Sequence, residues 1–405
     1  MDTIYKRTVV EEINRYIKTN DIIVLHGARQ VGKTSILYYL EDQLKKDGNP
    51  TYFIDLEDSR FVNLLNAGVA EFSRHLREEG LSSAGQKGKV FVFIDEIQYL
   101  ADPSSFLKLV ADHHKNIKLI VSGSSSFEIK SKFKDSLVGR TVNFEIFNLS
   151  FKESLSFNGY VFEEGTVYTQ KKTDELRALF KEYLLYGGYP KIVLTPEVYR
   201  KEKYLQQIID TYVKKDIRDL AGVMDIDKFN KLLESLASQS GQQLNVAELS
   251  NTTKIAKQTI EKYLFIMENT YIIKLVRPFS RNVRSELFKL PKIYFYDTGL
   301  MQMLWLKGLQ KEVMGNVFET GVFAELVKKY SHEAVFYWRT KDKKEIDFIL
   351  KVRNDILPIE VKLNFEQFNP SAMDYFNSHY KLKNYKVVSL NGRPKNEFYV
   401  YPWDL

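Results

Sequence analysis

The chain contains no cysteine in 405 residues. That excludes a disulfide framework, a Cys-ligated zinc site, an iron–sulfur cluster and a cysteine nucleophile. Long hydrophobic runs are missing too: no apolar stretch approaches the ~18 residues that a membrane span needs. The opening MDTIYKRTVVEEINRYIKTN is charged and lacks the apolar core of a signal peptide. No internal repeat and no low-complexity tract stands out, and charge bias is weak. A formal net charge of +7 permits an anionic partner without requiring one. What remains is a globular composition, 44% hydrophobic and 27% charged. The expectation is a soluble, cytoplasmic protein of roughly two to four domains, with no membrane partner.

Residues 22–25, Ile-Ile-Val-Leu, predict a short buried strand, and HGARQVGKTS follows at once. Gly27, Gly32, Lys33 and Thr34 satisfy the P-loop pattern G-x-x-x-x-G-K-[ST], and SILYYLEDQL after them has helical spacing. Glycines let backbone N–H groups close around phosphate oxygens, and the helix N-terminus adds its dipole. The predicted cradle for ATP runs from Gly27 through Ala28, Arg29, Gln30 and Val31 to Gly32, then Lys33, Thr34 and Ser35. Lys33 would reach the β- and γ-phosphates, and the Thr34 hydroxyl would coordinate Mg²⁺.

Strand patterns recur at 51–56 and 90–94, the second ending in Asp95-Glu96. An unbroken apolar strand that ends in two carboxylates reads as a Walker B segment. Asp95 would hold Mg²⁺ and Glu96 would orient and deprotonate the attacking water. A further strand, 118–123, ends in Ser122-Gly123-Ser124-Ser125. Ser122 or Ser124 could sense the γ-phosphate there, although Ser and Gly after a strand also make an ordinary turn.

GARQVGKT, FIDEIQ and SGSS, with SLVGR at 136–140 and YLLYGGYP at 183–190, resemble the AAA-type ATPase family that carries a DUF4143 C-terminal region. The resemblance spans nearly the whole chain and implies an α/β protein with a P-loop NTPase core on a parallel sheet, residues 1–150. Arg140 lies in the family's Gly-Arg motif and reads either as an arginine finger or sensor or as a surface residue capping a strand. AAA-type sites often lie between subunits, so the resemblance also allows a homo-oligomer in which Arg140 serves a neighbour's nucleotide.

Residues 151–222 have helical spacing and read as a lid or connector packed around the nucleotide core. The stretch 223–310 outlines a winged helix: KFNKLLESLASQS, then NVAELSNTT behind a cap at Asn245, then KQTIEKYLFIMENT, then the strand-like YIIKLVRPF. Between 251 and 290 eight bases face three acids. Lys254, Lys257, Gln258 and Lys262 fall on or beside the third helix, where a recognition helix would meet DNA. Winged helices also dock proteins, and that alternative stays open.

The last segment, 311–405, predicts a helix with Glu319 and strands at 335–340, 343–352 and 358–363. Glu360 and Lys362 share a strand face, and Asp347 sits on the neighbouring strand. Asp, Glu-x-Lys and a helical acid make the PD-(D/E)xK arrangement of a restriction-endonuclease-like α/β domain. Two carboxylates would bind a divalent cation, and the lysine would steer water and stabilise developing charge. Ile346 stands where the name-giving motif has proline. The adjacent His113 and His114 have no partner at helical spacing and read as exposed helix residues. The combined expectation is an Mg²⁺-dependent ATPase whose nucleotide state governs DNA engagement by the later domains. The alternatives are a nucleotide-gated protein-binding regulator with little turnover, and a metal-dependent DNA nuclease gated by the ATPase domain.

Overall fold

The computed structural model describes residues 4–81, 88–123, 137, 139–211, 223, 225–280 and 290–405. They fall into two compact units, residues 1–147 and 148–405.

Five parallel strands form the sheet of the first unit: β1 (Ile22–Gly27), β2 (Thr51–Asp55), β3 (Val90–Asp95), β4 (Ile117–Gly123) and β5 (Thr141–Ile146). Their order is β2-β3-β4-β1-β5. Parallel sheets are covered on both faces, so central strands read as continuous apolar runs. β1, β3 and β4 are buried along their whole lengths. Phe72, Leu76, Phe106 and Leu107 pack on Val24, Val92, Ile94 and Val121 from the Val69–Glu78 and Pro103–His113 helices. Because the strands are parallel, the carboxyl ends of β1, β3 and β4 lie together at one edge. Open α/β sheets bind ligands at that edge.

The second unit begins with helices Phe151–Phe157, Gln170–Tyr186, Pro190–Val193 and Val198–Ile208. Three more follow, Ile226–Ser238, Val246–Thr253 and Lys257–Asn269, and then the antiparallel pair β6 (Ile273–Val276) and β7 (Lys292–Phe295). Asn245 caps the middle helix by accepting from the N–H groups of Ala247 and Glu248. After the Thr298–Leu306 and Gly315–Tyr330 helices come β8 (Val335–Arg339), β9 (Glu345–Val352), β10 (Asp355–Asn364), β11 (Lys386–Asn391) and β12 (Tyr399–Val400). β8, β9 and β10 run antiparallel, whereas β10, β11 and β12 are parallel. A parallel neighbour needs a crossover, and the Ser371–Tyr380 helix supplies it between β10 and β11.

Within the second unit, Gln170–Tyr186 and Val198–Ile208 lie on the Thr298–Leu306 helix. A long-range polar lock joins the two segments. Asp297, buried at the N-cap of Thr298–Leu306, accepts from the N–H groups of Gly188 and Leu300 at 2.8 Å and from Asn148 Nδ2 at 2.5 Å. A Cβ on Gly187 would stand 2.2 Å from that carboxylate, so only glycine lets the two segments approach. Residues 212–222 of the predicted connector lie outside the described residues.

Candidate functional site

β1 ends at Gly27, whose absent side chain admits the neighbouring strand: a Cβ there would lie 2.0 Å from the Ile146 carbonyl oxygen. The chain then turns through left-handed backbone at Gln30 (φ 62°) and Gly32 (φ 94°) into the Lys33–Lys46 helix. Ala28 and Val31 are buried, while Arg29, Gln30 and Ser35 are exposed. Lys33 is buried, and its ammonium donates to the carbonyls of Gly27 (3.1 Å) and Ala28 (2.8 Å). Burial pushes its pKa down to about 8, although Glu96 and Asp95 oppose that shift.

Thr34 Oγ1 donates to Asp95 Oδ2 at 2.6 Å, and Ser122 Oγ donates to Asp95 Oδ1. The Glu96 N–H donates to Asp95 Oδ1 (3.1 Å) and Ser122 Oγ (3.3 Å). Glu96 itself holds a left-handed φ of 56°, uncommon for a non-glycine residue, and its carboxylate accepts from Gln98. The structure thus gathers Lys33, Thr34, Asp95, Glu96 and Ser122 at the carboxyl edge of the sheet. Thr34 and Asp95 offer a hydroxyl and a carboxylate, hard oxygen donors of the type Mg²⁺ prefers. Ser124 lies outside the described residues.

Arg140 is elsewhere. Its carbonyl accepts from the N–H of Ile22 at the amino end of β1, so it stands at the opposite edge of the sheet from Gly27. Five residues of strand separate the two edges, roughly 17 Å. Its guanidinium pairs with Asp112 at 2.8 and 3.2 Å.

A second polar cluster forms where β9, β10 and the Gly315–Tyr330 helix meet. Lys362 Nζ lies 2.6 Å from Glu360 Oε1 and 3.6 Å from Asp347 Oδ2, which also accepts from the Val361 N–H at 2.8 Å. Glu319 Oε1 accepts from Tyr294 at 2.5 Å and pairs with Lys292 at 3.3 Å. Lys292 also meets Glu345 at 2.6 Å, and Glu345 meets Arg339 at 2.9 Å. Burial, then the nearby Asp347 charge, raises Glu319 to about 7 against the pull of Lys292 and Tyr294. The same two causes raise Glu360 to about 7 against Lys362. Burial works against the Lys292 charge, but Glu319, Asp347 and Glu345 outweigh it and hold its pKa above the ordinary lysine value. Among the described residues no three histidine or carboxylate side chains form a ready-made metal cage. The donors are nevertheless hard oxygens, and their crowding is of the kind a divalent cation relieves.

Lys292, Tyr294 and Glu345 are absent from the motif reading. Lys292 and Tyr294 alternate on one strand face, a pattern visible in sequence, but nothing there says which helix that face meets. Arg7 was missed as well; buried, it donates to the carbonyls of Val31 (2.8 Å) and Phe147 (2.9 Å) and so braces the phosphate loop. Lys254, Lys257, Gln258 and Lys262 are exposed around the start of the Lys257–Asn269 helix. Arg281, Arg284 and Lys289 lie outside the described residues. No helix among the described residues is long and apolar enough to cross a membrane.

Comparison with known proteins agrees with the N-terminal geometry. Residues 19–155 match the family model described as an AAA domain. Residues 314–403 match the domain of unknown function DUF4143, and 177–312 match another, DUF8612. An uncharacterized protein of Haemophilus influenzae is 27% identical over 400 residues, spanning 96% of this chain and 94% of its own length. The uncharacterized protein MJ1544 of Methanocaldococcus jannaschii is 26% identical over 396 residues, 94% of this chain and 85% of its own. Among solved structures, a replication initiator DnaA bound to AMPPCP and single-stranded DNA overlaps with a TM-score of 0.30 at 15% identity, over 66% of this chain and 90% of that one. The Aeropyrum pernix ORC2 protein in its ADP form gives 0.35 at 11% identity, over 66% and 85%. Overlaps that loose carry no weight for fold or function.

Proposed function

We propose that this chain is an Mg²⁺-dependent ATPase whose nucleotide state controls how the later domains engage DNA. The observation that carries the reading is the joint placement of buried Lys33, Thr34 and the Asp95–Glu96 pair at one sheet edge. Lys33 neutralises charge on the β- and γ-phosphates, which the backbone N–H groups of residues 27–35 cradle. Thr34 and Asp95 would hold Mg²⁺, which when bound draws off phosphate charge. Glu96 orients the attacking water and takes its proton, and Ser122 steadies Asp95. Ser122 or Ser124 would sense the γ-phosphate. Arg140, remote from its own loop, acts on a neighbour's nucleotide in a homo-oligomer. Purified protein hydrolyses ATP on this reading, and Lys33→Ala or Glu96→Gln abolishes turnover; full rate in both variants would refute it.

The domain reading is 1–150 for the ATPase core, 151–222 for the connector, 223–310 for a winged helix and 311–405 for a nuclease-like domain. Exposed Lys254, Lys257, Gln258 and Lys262 support contact with DNA phosphates. No salt-dependent affinity for DNA, with or without ATP, would instead favour a protein-docking role for this module.

A second reading, a metal-dependent DNA nuclease, is supported by the Asp347, Glu360 and Lys362 cluster next to Glu319. The carboxylates would hold the cation, and Lys362 would orient water and balance developing charge. Incubating linear and plasmid DNA with Mg²⁺ or Mn²⁺ tests it. Cleavage that survives Asp347→Ala would come from a contaminant.

A further inference from the structure

The Ser371–Tyr380 helix turns Met373, Phe376 and Tyr380 into a core with Trp338, Ile346 and Ile349. Its flank carries a different aromatic pair. Tyr375 and His379 are four residues apart, so they are neighbours on the helix surface, and both are exposed, Tyr375 by 47%. Their rings are nearly parallel, 7° apart in orientation, with centroids separated by 6.3 Å. Two flat π systems are thus aligned on the surface, where the core does not require them.

Tyr375 is held in place from two sides. Trp338 of β8 is buried, packs edge-on against Phe376 at 5.1 Å and lies 5.9 Å from the Tyr375 ring. The Lys344 ammonium stands 4.5 Å from the centroid of that ring, within cation–π range. Lys344 belongs to the turn between β8 and β9, which is itself pinned. The Thr340 N–H donates to the Lys344 carbonyl at 2.9 Å, and the Lys343 N–H donates to the Thr340 carbonyl at 3.2 Å. The Lys344 N–H donates to Thr340 Oγ1 at 3.1 Å. Lys341 and Lys343 are therefore exposed on a fixed turn whose last residue touches Tyr375. The turn sets three lysines against Asp342, and residues 371–383 set Lys381 and Lys383 against Asp374. Positive charge surrounds the paired rings.

We propose that Tyr375 and His379, together with Lys341, Lys343 and Lys344, form a binding surface for single-stranded DNA. Unpaired bases stack on the two rings while the lysines meet the phosphates, and rings fixed beforehand lose little freedom on binding. A duplex, whose bases are already stacked on one another, offers no π face to the pair. The surface uses neither the Lys254 face nor the C-terminal carboxylates. The choice of DNA over RNA rests on the DNA reading proposed above.

The test measures fluorescence anisotropy of labelled oligo-dT with the full chain, beside a duplex, oligo-rU and heparin, with thermal unfolding as the folding control. Tyr375→Ala should weaken oligo-dT binding about 5- to 150-fold, whereas Tyr375→Phe, which keeps the ring, should bind like wild type. Lys341→Ala and Lys343→Ala should each reduce the slope of log affinity against log salt by about 0.7. Wild-type oligo-dT affinity in folded Tyr375→Ala overturns the proposal. An equal loss of heparin binding in that variant also overturns it, because heparin has no bases to stack. Tighter binding of oligo-rU than of oligo-dT overturns the choice of DNA. Binding of duplex alone, weakened by Lys254→Ala, overturns this surface and leaves the winged-helix reading standing; no binding of any nucleic acid overturns both. Should Tyr375→Ala fail to fold, the exposed His379→Ala decides.

Discussion

Thr34 and Asp95 meet through a 2.6 Å hydrogen bond across 61 residues of sequence. The second oxygen of the same carboxylate takes the hydroxyl of Ser122. Asp95 therefore ties the first turn of the phosphate-loop helix to two adjacent strands. On the proposed reading, this hydroxyl and carboxylate are the groups that would hold the cation.

Glu96→Gln keeps the size of the side chain and leaves Lys33 and Thr34 in place, but as a neutral amide it cannot take a proton from water. Turnover should fall by about 10²- to 10⁴-fold while binding of a fluorescent ATP analogue stays near wild type. Lys33→Ala should lose both. Equal binding loss in the two variants would mean that Glu96 contacts nucleotide and is not the base.

Gly27→Ala forces a methyl group onto the Ile146 carbonyl, 2.0 Å away. Overpacking of this kind costs about 1–3 kcal/mol or more, seen as a lowered urea midpoint. Gly315→Ala is the control: nothing lies within 4 Å of a Cβ there, and the change should stay within about 0.5 kcal/mol.

Asp297→Ala strips the acceptor from the Gly188 N–H and the Asn148 amide and removes a helix cap. Buried partners left unpaired, together with the lost cap, should cost about 3–5 kcal/mol. Chemical denaturation followed by tyrosine and tryptophan fluorescence would measure it. A loss under about 1 kcal/mol would mean water replaces the carboxylate.

Glu319 and Glu360 are raised to about 7 in the folded chain from an ordinary 4.5. The folded state therefore binds their protons more tightly than the unfolded one. The stability this provides is complete below pH 4.5 and is lost as pH climbs through about 7. A cation must displace those protons, so Mn²⁺ should raise the melting temperature more at pH 8 than at pH 6. Asp347→Ala should flatten that difference. An equal Mn²⁺ effect at both values would place the metal elsewhere.

If Lys254, Lys257 and Lys262 neutralise DNA phosphates, each replacement by alanine should reduce the slope of log affinity against log salt by about 0.9. Fluorescence anisotropy with a labelled duplex reads this directly. Unchanged slopes in all three variants would remove this face from the binding surface.

The phosphate loop and the Asp95–Glu96 strand end were legible because their signals are local. Glycine, lysine and threonine at fixed spacing, and an unbroken apolar run before two acids, need no partner to be recognised. Glu360 and Lys362 were legible through strand alternation alone. β5 was not foreseen: it is an edge strand, partly buried, and its alternation is weak. Nor does sequence reveal that Lys292 and Tyr294 converge on Glu319, or that Asp297 grips Gly188 from 109 residues away. Local chemistry and period are written in the order of residues, and these determined the strands, the cradle and the acids. Which distant groups share one atom depends on how elements pack, because burial and charge pairing act through space and not along the chain. Only the tertiary structure decided that Arg140 faces away from its own nucleotide loop and that a strand outside the motif holds its helical glutamate.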